Sequence, residues 1–242
     1  MMTNKHLLTN IHDEMSNNEK MANMAILTAA MAHEVRNPLT TIKGFLQLIK
    51  PHLTEIDKEE YALIVLDEID RVNEIIYDFL NMVKPPYNKK TTSCINDLII
   101  HIVQLYECES IIKNVKIITH LTREKALVNM NNNEIKQVLI NLIKNAFEAI
   151  VDCNRSTGGR IEINTEVSGK YVFIHIIDNG CGMSCETEEH LFSLFYSTKS
   201  KGSGIGLSIC HKIIREHLGQ ISFITTKNAG TKFTIKLPLD QK

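Results

Sequence analysis

The apolar residues of this chain change rhythm at Pro85-Pro86, and that change constrains the fold more than any other feature. Before it, Met24, Leu27, Met31, Val35, Ile42, Phe45 and Ile49 recur at intervals of three, four or seven, which is one stripe of a long helix from about Met21 to Lys50. Pro38 should bend that helix, because proline has no N–H to donate and crowds the preceding turn. Pro51 to Asp57 reads as a turn. Tyr61, Val65, Ile69, Val72, Ile76, Phe79 and Val83 then step by fours and threes through a second helix, which Pro85-Pro86 ends. Two such helices make an antiparallel hairpin. A lone hairpin buries too little apolar surface to hold itself together, so its seam predicts a homodimer, with two hairpins forming a four-helix bundle.

Beyond the prolines the polar run Tyr87 to Ser93 reads as a linker, and the texture then becomes mixed. Ile95 to Cys108 is helical, Val115 to His120 a strand, and Asn133 to Val151 an amphipathic helix. Strands follow at Arg160 to Glu166, Tyr171 to Ile177, Gln220 to Thr225 and Thr231 to Leu237, with a helix at Ile205 to Leu218. Helices interleaved with adjacent strands indicate an α+β layer domain. The expected organisation is a polar arm at 1–21, the hairpin at 22–86, the linker at 87–93 and the α+β domain at 94–242.

Composition removes several functions. A formal net charge of -1 provides no basic field of the kind that draws proteins to nucleic acid. No segment approaches the roughly 18 to 20 unbroken apolar residues of a membrane span, and the N-terminus lacks the apolar core of a signal peptide, so a cytoplasmic chain without membrane insertion is expected. Cys94, Cys108, Cys153, Cys181, Cys185 and Cys210 show no C-x-x-C pairing, and they read as reduced thiols.

Four segments carry chemistry. In A-H-E-V-R-N-P-L-T, Ala32 to Thr40, His33 is followed by the acid Glu34 and shares a helix face with Asn37; an imidazole can act as a nucleophile when a neighbour fixes its tautomer. The zinc-protease pattern H-E-x-x-H fails here, since position 37 is Asn. In N-L-I-K-N-A-F-E-A, Asn141 and Asn145 again lie four apart, and amide oxygens are hard ligands suited to magnesium. D-N-G-C-G-M, Asp178 to Met183, follows an apolar strand. Its acid can accept a hydrogen bond from an exocyclic amine, while Gly180 and Gly182 let backbone approach a flat ring. K-G-S-G-I-G-L, Lys201 to Leu207, opens a helix with glycines whose N–H groups suit phosphate oxygens, without the spacing of a P-loop. Any one of these has an ordinary structural explanation: a surface histidine, a solvated amide face, a tight turn, a helix cap.

In this order the four segments resemble the H, N, G1 and G2 boxes of bacterial two-component sensor histidine kinases. L-F-S-L-F-Y-S-T-K, Leu191 to Lys199, looks like the F box of that family, and A-G-T-K-F-T-I-K-L-P, Ala229 to Pro238, like its closing strands. The resemblance implies a helical hairpin followed by an α/β-sandwich ATP-binding domain of the Hsp90, gyrase and histidine kinase type. It implies ATP and Mg2+ as cofactors, and a response-regulator receiver domain as partner. His33 would be the phosphoacceptor, Glu34 the acid or base beside it, and Asn37 the amide used in dephosphorylating the partner. Asn145 would hold magnesium, with Asn141 nearby. Asp178 would bind adenine, with Gly180 and Gly182 shaping that pocket. Gly202, Gly204 and Gly206, followed by Leu207, would wrap the phosphates under a lid spanning about Ser184 to Ser203; Lys199 would hold the phosphate tail, and Phe192 and Phe195 would pack the lid. Leu39, Ile42, Lys43 and Phe45 would dock the receiver. The string H-E-V-R-N-P-L-T-T-I-K-G-F-L-Q-L is most similar to sporulation kinases of bacilli. Two alternatives to the kinase follow: a plain ATPase, disfavoured because an amide at position 141 is a poor base, and a sensorless module that binds, sequesters or dephosphorylates a response regulator.

Overall fold

The computed structural model describes residues 32, 34–83, 90–153, 158–198 and 204–240. The chain divides into two units: Met1–Tyr87 with Lys199–Ile205, which contains a helical hairpin, and a larger α/β unit spanning Asn88–Thr198 and Gly206–Lys242.

In the hairpin, α1 (residues 34–55) runs through Pro38 and Pro51, and the turn shrinks to Ile56 and Asp57 before α2 (Glu59–Val83). The expected turn at Pro51 to Asp57 therefore starts too early. Asp57 takes a left-handed φ of 59°, and Lys58 N–H reaches back to Leu53 O at 2.8 Å, closing the helix end with local hydrogen bonds. Lys50 joins Glu59 across the turn at 3.0 Å, and this neighbour holds the Glu59 carboxyl below its ordinary range.

The stripe read from α1 is not the one that faces α2. The half-buried positions include Leu39, Lys43, Leu46, Lys50 and Leu53, whereas Val35, Ile42, Phe45 and Ile49 are exposed. The inner seam accepts the two lysines because each lays its stem along the groove and gives its ammonium to an acid of α2, Lys43 to Asp70 and Lys50 to Glu59. On α2 Ala62 and Ile69 are buried and Leu66, Val72 and Ile76 half-buried, so Ile69, Val72 and Ile76 of the expected stripe turn inward, whereas Tyr61, Val65 and Phe79 are exposed. The hairpin thus carries two apolar stripes and encloses one.

The α/β unit holds β1 (Thr91–Cys94), α3 (Ile95–Leu105), α4 (Glu107–Ile112), β2 (Val115–His120), β3 (Leu127–Met130), α5 (Asn132–Asp152), β4 (Gly159–Ser168), β5 (Tyr171–Asp178), α6 (Cys185–His190), α7 (Gly206–Glu216), β6 (Gln220–Thr226) and β7 (Gly230–Pro238). Five strands form one sheet in the order β2-β4-β5-β7-β6, with β2 parallel to β4 and the other pairs antiparallel. Burial alternates along β4, β5 and β7, so one face of the sheet lies under α5 and its neighbours. Residues 91–93, expected in the linker, instead pair with β3 in a small antiparallel sheet. Lys90 Nζ donates to Glu216 O, and Thr92 hydrogen-bonds the Asp240 carboxylate. No helix among the described residues is long and apolar enough to cross a membrane.

Candidate functional site

The inward row of β5 reads Val172, Ile174, Ile176, Asp178, and that of β7 reads Leu237, Ile235, Phe233, Thr231. Both rows turn polar at their last position, and the register pairs Asp178 with Thr231. A carboxylate and a hydroxyl thus stand together, each 6% exposed, at the end of an otherwise apolar face. Asp178 Oδ1 accepts from Gly180 N–H at 2.8 Å and Thr231 N–H at 3.3 Å. Two backbone donors offset the cost of burying that oxygen and fix the carboxylate plane. Thr231 Oγ1 lies 3.0 Å from Thr225 Oγ1, and Thr225 Oγ1 also accepts from Met183 N–H at 3.0 Å, which ties β6 into the same cluster. Sequence reasoning did not single out Thr231; the signal was a polar residue in the inward register of β7, opposite Asp178.

Gly180 and Gly182 have a more specific use than room for a ring. A Cβ on Gly180 would stand 2.7 Å from the Ala149 carbonyl carbon, and one on Gly182 would stand 2.1 Å from the Thr226 carbonyl oxygen. Gly182 also has a φ of 63°. The loop is pressed between α5 and the β6–β7 turn, where Cys181 N–H donates to Ala149 O at 3.1 Å and Asn228 N–H to Cys181 O at 2.7 Å. Asn179 anchors its other side, accepting from Arg160 N–H at 2.8 Å.

Helix α5 supplies the amides. Asn141 and Asn145 are both half-buried, one turn apart. Asn141 Nδ2 donates to Gly206 O at 3.3 Å, which brings the first turn of α7 against it. The N-cap of α5 is Asn131, whose side chain accepts from Asn133 N–H at 3.1 Å. Its own N–H donates to His217 Nε2 at 3.0 Å, while His217 Nδ1 lies 2.8 Å from Ile213 O and so carries the ring proton. Burial pushes the His217 imidazole below its ordinary range and keeps it neutral, and Lys90 adds to the effect.

Gly206 and Leu207 begin α7, and Gly204 has a left-handed φ of 67°. Lys199 and Gly202 lie outside the described residues, as does His33; Glu34 and Asn37 are exposed on α1. Of the expected lid, Ser184 caps α6 by accepting from Thr187 N–H at 3.3 Å. Phe192 packs on β6 and α7, its ring 5.9 Å from that of Phe223 and 5.3 Å from that of His211. Phe195 does not: it is 64% exposed with a φ of 63°. Leu39 is half-buried, Ile42 and Phe45 are open, and Lys43 is engaged by Asp70.

Residues 130–241 match the family described as histidine kinase-, DNA gyrase B-, and HSP90-like ATPase, and residues 23–87 match the His Kinase A (phospho-acceptor) domain. The chain is 34% identical to the signal transduction histidine-protein kinase AtoS of Escherichia coli, covering 93% of this chain and 36% of AtoS. It is 35% identical to sporulation kinase D of Bacillus subtilis, covering 93% of this chain and 44% of that kinase. It therefore spans less than half the length of either relative. Among solved structures, the catalytic domain of histidine kinase ThkA is 35% identical and superposes with a TM-score of 0.55, covering 62% of this chain and 95% of that domain. ThkA in complex with response regulator TrrA matches with a TM-score of 0.67 at 30% identity, covering 96% of this chain and 66% of ThkA. The α/β unit is an ATP-binding domain of the ATPase class shared by histidine kinases, gyrase B and HSP90. The chain as a whole belongs to the histidine kinases.

Proposed function

We propose that this chain is an ATP-dependent autokinase that phosphorylates its own His33 and passes the phosphoryl group to an aspartate on a response-regulator receiver domain. The observation that carries the reading is the buried Asp178–Thr231 pair, a fixed carboxylate at the end of an apolar strand face, beside a helix that presents Asn141 and Asn145. Asp178 would accept from the exocyclic amine of adenine. The start of α7 would receive the phosphates, since N–H groups and the positive helix end both favour anions there. Lys199, Gly202, Gly204 and Leu207 would complete the phosphate site.

The donor set fits Mg2+. This ion keeps most of its waters and takes one or two protein oxygens with substrate phosphates, and the Asn145 amide oxygen would be that protein ligand. When bound, the ion would offset charge that develops on the phosphates. A His33 ring nitrogen would attack the γ-phosphorus in line: the N–P bond forms, the bond from phosphorus to the β–γ bridging oxygen breaks, and ADP leaves. Glu34 would take the imidazole proton. Phosphohistidine then would yield its phosphoryl group to a receiver carboxylate docked on Leu39, Ile42, Lys43 and Phe45, freeing the imidazole, and Asn37 would orient the water that hydrolyses the receiver's acyl phosphate to carboxylate and inorganic phosphate when the chain dephosphorylates its partner. The hairpin match, the likeness to a kinase solved with its response regulator and the sporulation kinase relatives support this partner class, with sporulation signalling as the setting.

Incubation with γ-labelled ATP and Mg2+ tests it. Acid-labile label on the protein, reduced at least about tenfold by Asp178→Asn through loss of a charge-assisted bond, is expected. Phosphate release without protein label would make the chain a plain ATPase, and no use of ATP would make it a receiver-binding module.

A further inference from the structure

Asn141 and Cys210 meet between α5 and α7 in an arrangement that the reaction just described does not use. Asn141 Nδ2 donates to Gly206 O at 3.3 Å and to Cys210 Sγ at 3.7 Å. Gly206 and Cys210 are one helical turn apart, so a single NH2 group spans the first turn of α7. The Cys210 thiol donates in turn to Val138 O at 3.9 Å, back on α5, three residues before Asn141. The contacts close a ring between the two helices. Cys210 and Val138 are 0% exposed, so water does not compete for the thiol's bond to Val138, while the two bonds from the half-buried Asn141 are partly shielded.

We infer that Asn141 and Cys210 are positioning residues that hold the first turn of α7, the phosphate end of the nucleotide site, and that Asn141 acts through this brace instead of on a water at the γ-phosphate. The inference rests on the ATP-site reading above. It gives the amide at 141 a second reason to exist. A carboxylate there has no N–H to give and would set negative charge against the Gly206 carbonyl oxygen, so it would lose the brace whether or not it activated a water. It also gives Cys210 a task, as a small buried group that accepts from one helix position and donates to another.

The test is nucleotide affinity of the full chain for ATP and for adenosine, with phosphate release and thermal unfolding measured on the same variants. Asn141→Asp should weaken ATP about tenfold, the upper value of one ordinary neutral hydrogen bond, without raising phosphate release. Cys210→Ala should weaken ATP several-fold, and Cys210→Ser, which keeps a donor and an acceptor, should recover most of that loss. Adenosine lacks phosphates, and its affinity should change less than twofold throughout. Because the two residues act as a unit, Asn141→Ala with Cys210→Ala should be no weaker than Asn141→Ala alone. Additive losses, or Asn141→Asp with unchanged ATP affinity and new phosphate release, would overturn the brace. Binding by the wild type with no change in the variants overturns the brace alone; no binding by the wild type overturns the ATP-site reading with it.

Discussion

The hairpin and the α/β unit are both built on apolar periodicity, and they differ in what that periodicity encloses. In the α/β unit Ile95, Leu142, Ile163 and Ile174 are fully buried, and the inward rows of three strands close against α5. In the hairpin, by contrast, Leu48 is 73%, Phe45 65% and Ile64 64% exposed. Burying each such side chain stabilises by roughly 1.5–3 kcal/mol, so the hairpin forgoes several kcal/mol as a single copy. One region is a finished core; the other is half of one, and a second hairpin is the natural complement. Ile42 and Phe45 belong both to the outer apolar stripe and to the proposed receiver dock, so a dimer seam, if formed by that stripe, would have to share it with the dock.

Three experiments would break or sharpen this contrast. The largest effect is expected from Leu48→Glu combined with Ile64→Glu. Each carboxylate on this exposed apolar surface would have to be desolvated on association, so the proposed dimer should dissociate in analytical ultracentrifugation, with the unfolding midpoint of the α/β unit unchanged. A variant that stays dimeric would show that the stripe has been assigned to the wrong contact.

A glycine in each region comes next. Gly182→Ala drives a Cβ to 2.1 Å from the Thr226 oxygen at a left-handed φ, and overpacking plus strain should destabilise the α/β unit by about 3 kcal/mol in urea unfolding. Gly44→Ala in α1 meets nothing within 4 Å and should stabilise the hairpin by roughly 0.5–1 kcal/mol. Equal effects at the two sites would remove the distinction between a closed loop and an open helix face.

The smallest effect is in pH dependence. The folded α/β unit holds His217 neutral with a lowered pKa, while the unfolded chain takes up that proton near the ordinary value of 6.5. Stability from this site is therefore complete above pH 6.5 and is lost as pH falls below it. Glu59 of the hairpin is lowered instead from 4.5, so its contribution begins to fade only below that value. His217→Gln should flatten the melting midpoint of the α/β unit between pH 6.5 and 5; a slope that persists would locate the titration elsewhere.

Most of the α/β unit was legible because its strands alternate and its long helix repeats, and those periods report burial directly. Thr91–Cys94 was missed because T-T-S-C has no apolar alternation; that strand is made by its partner β3. In the hairpin the helices were legible and so was part of the α2 face, but the face of α1 was not: lysines at 43 and 50 hid the inner seam, since a charge reads as outward even when its stem lies in the groove and its ammonium is paired. Asp178 was visible as an acid ending an apolar strand. Thr231 required the register between two strands, and the brace between Asn141 and Cys210 required two helices to be set side by side, neither of which a linear pattern contains. Phe195 shows the opposite error, an aromatic taken as packing that lies open.

The central claim is that ATP labels one imidazole. Digestion of the chain after incubation with γ-labelled ATP and Mg2+, under conditions that spare phosphohistidine, should place all stable label on the peptide carrying His33, and His33→Gln should abolish the label while leaving ATP affinity intact. Label that persists in His33→Gln, or that maps to another residue, would contradict the account.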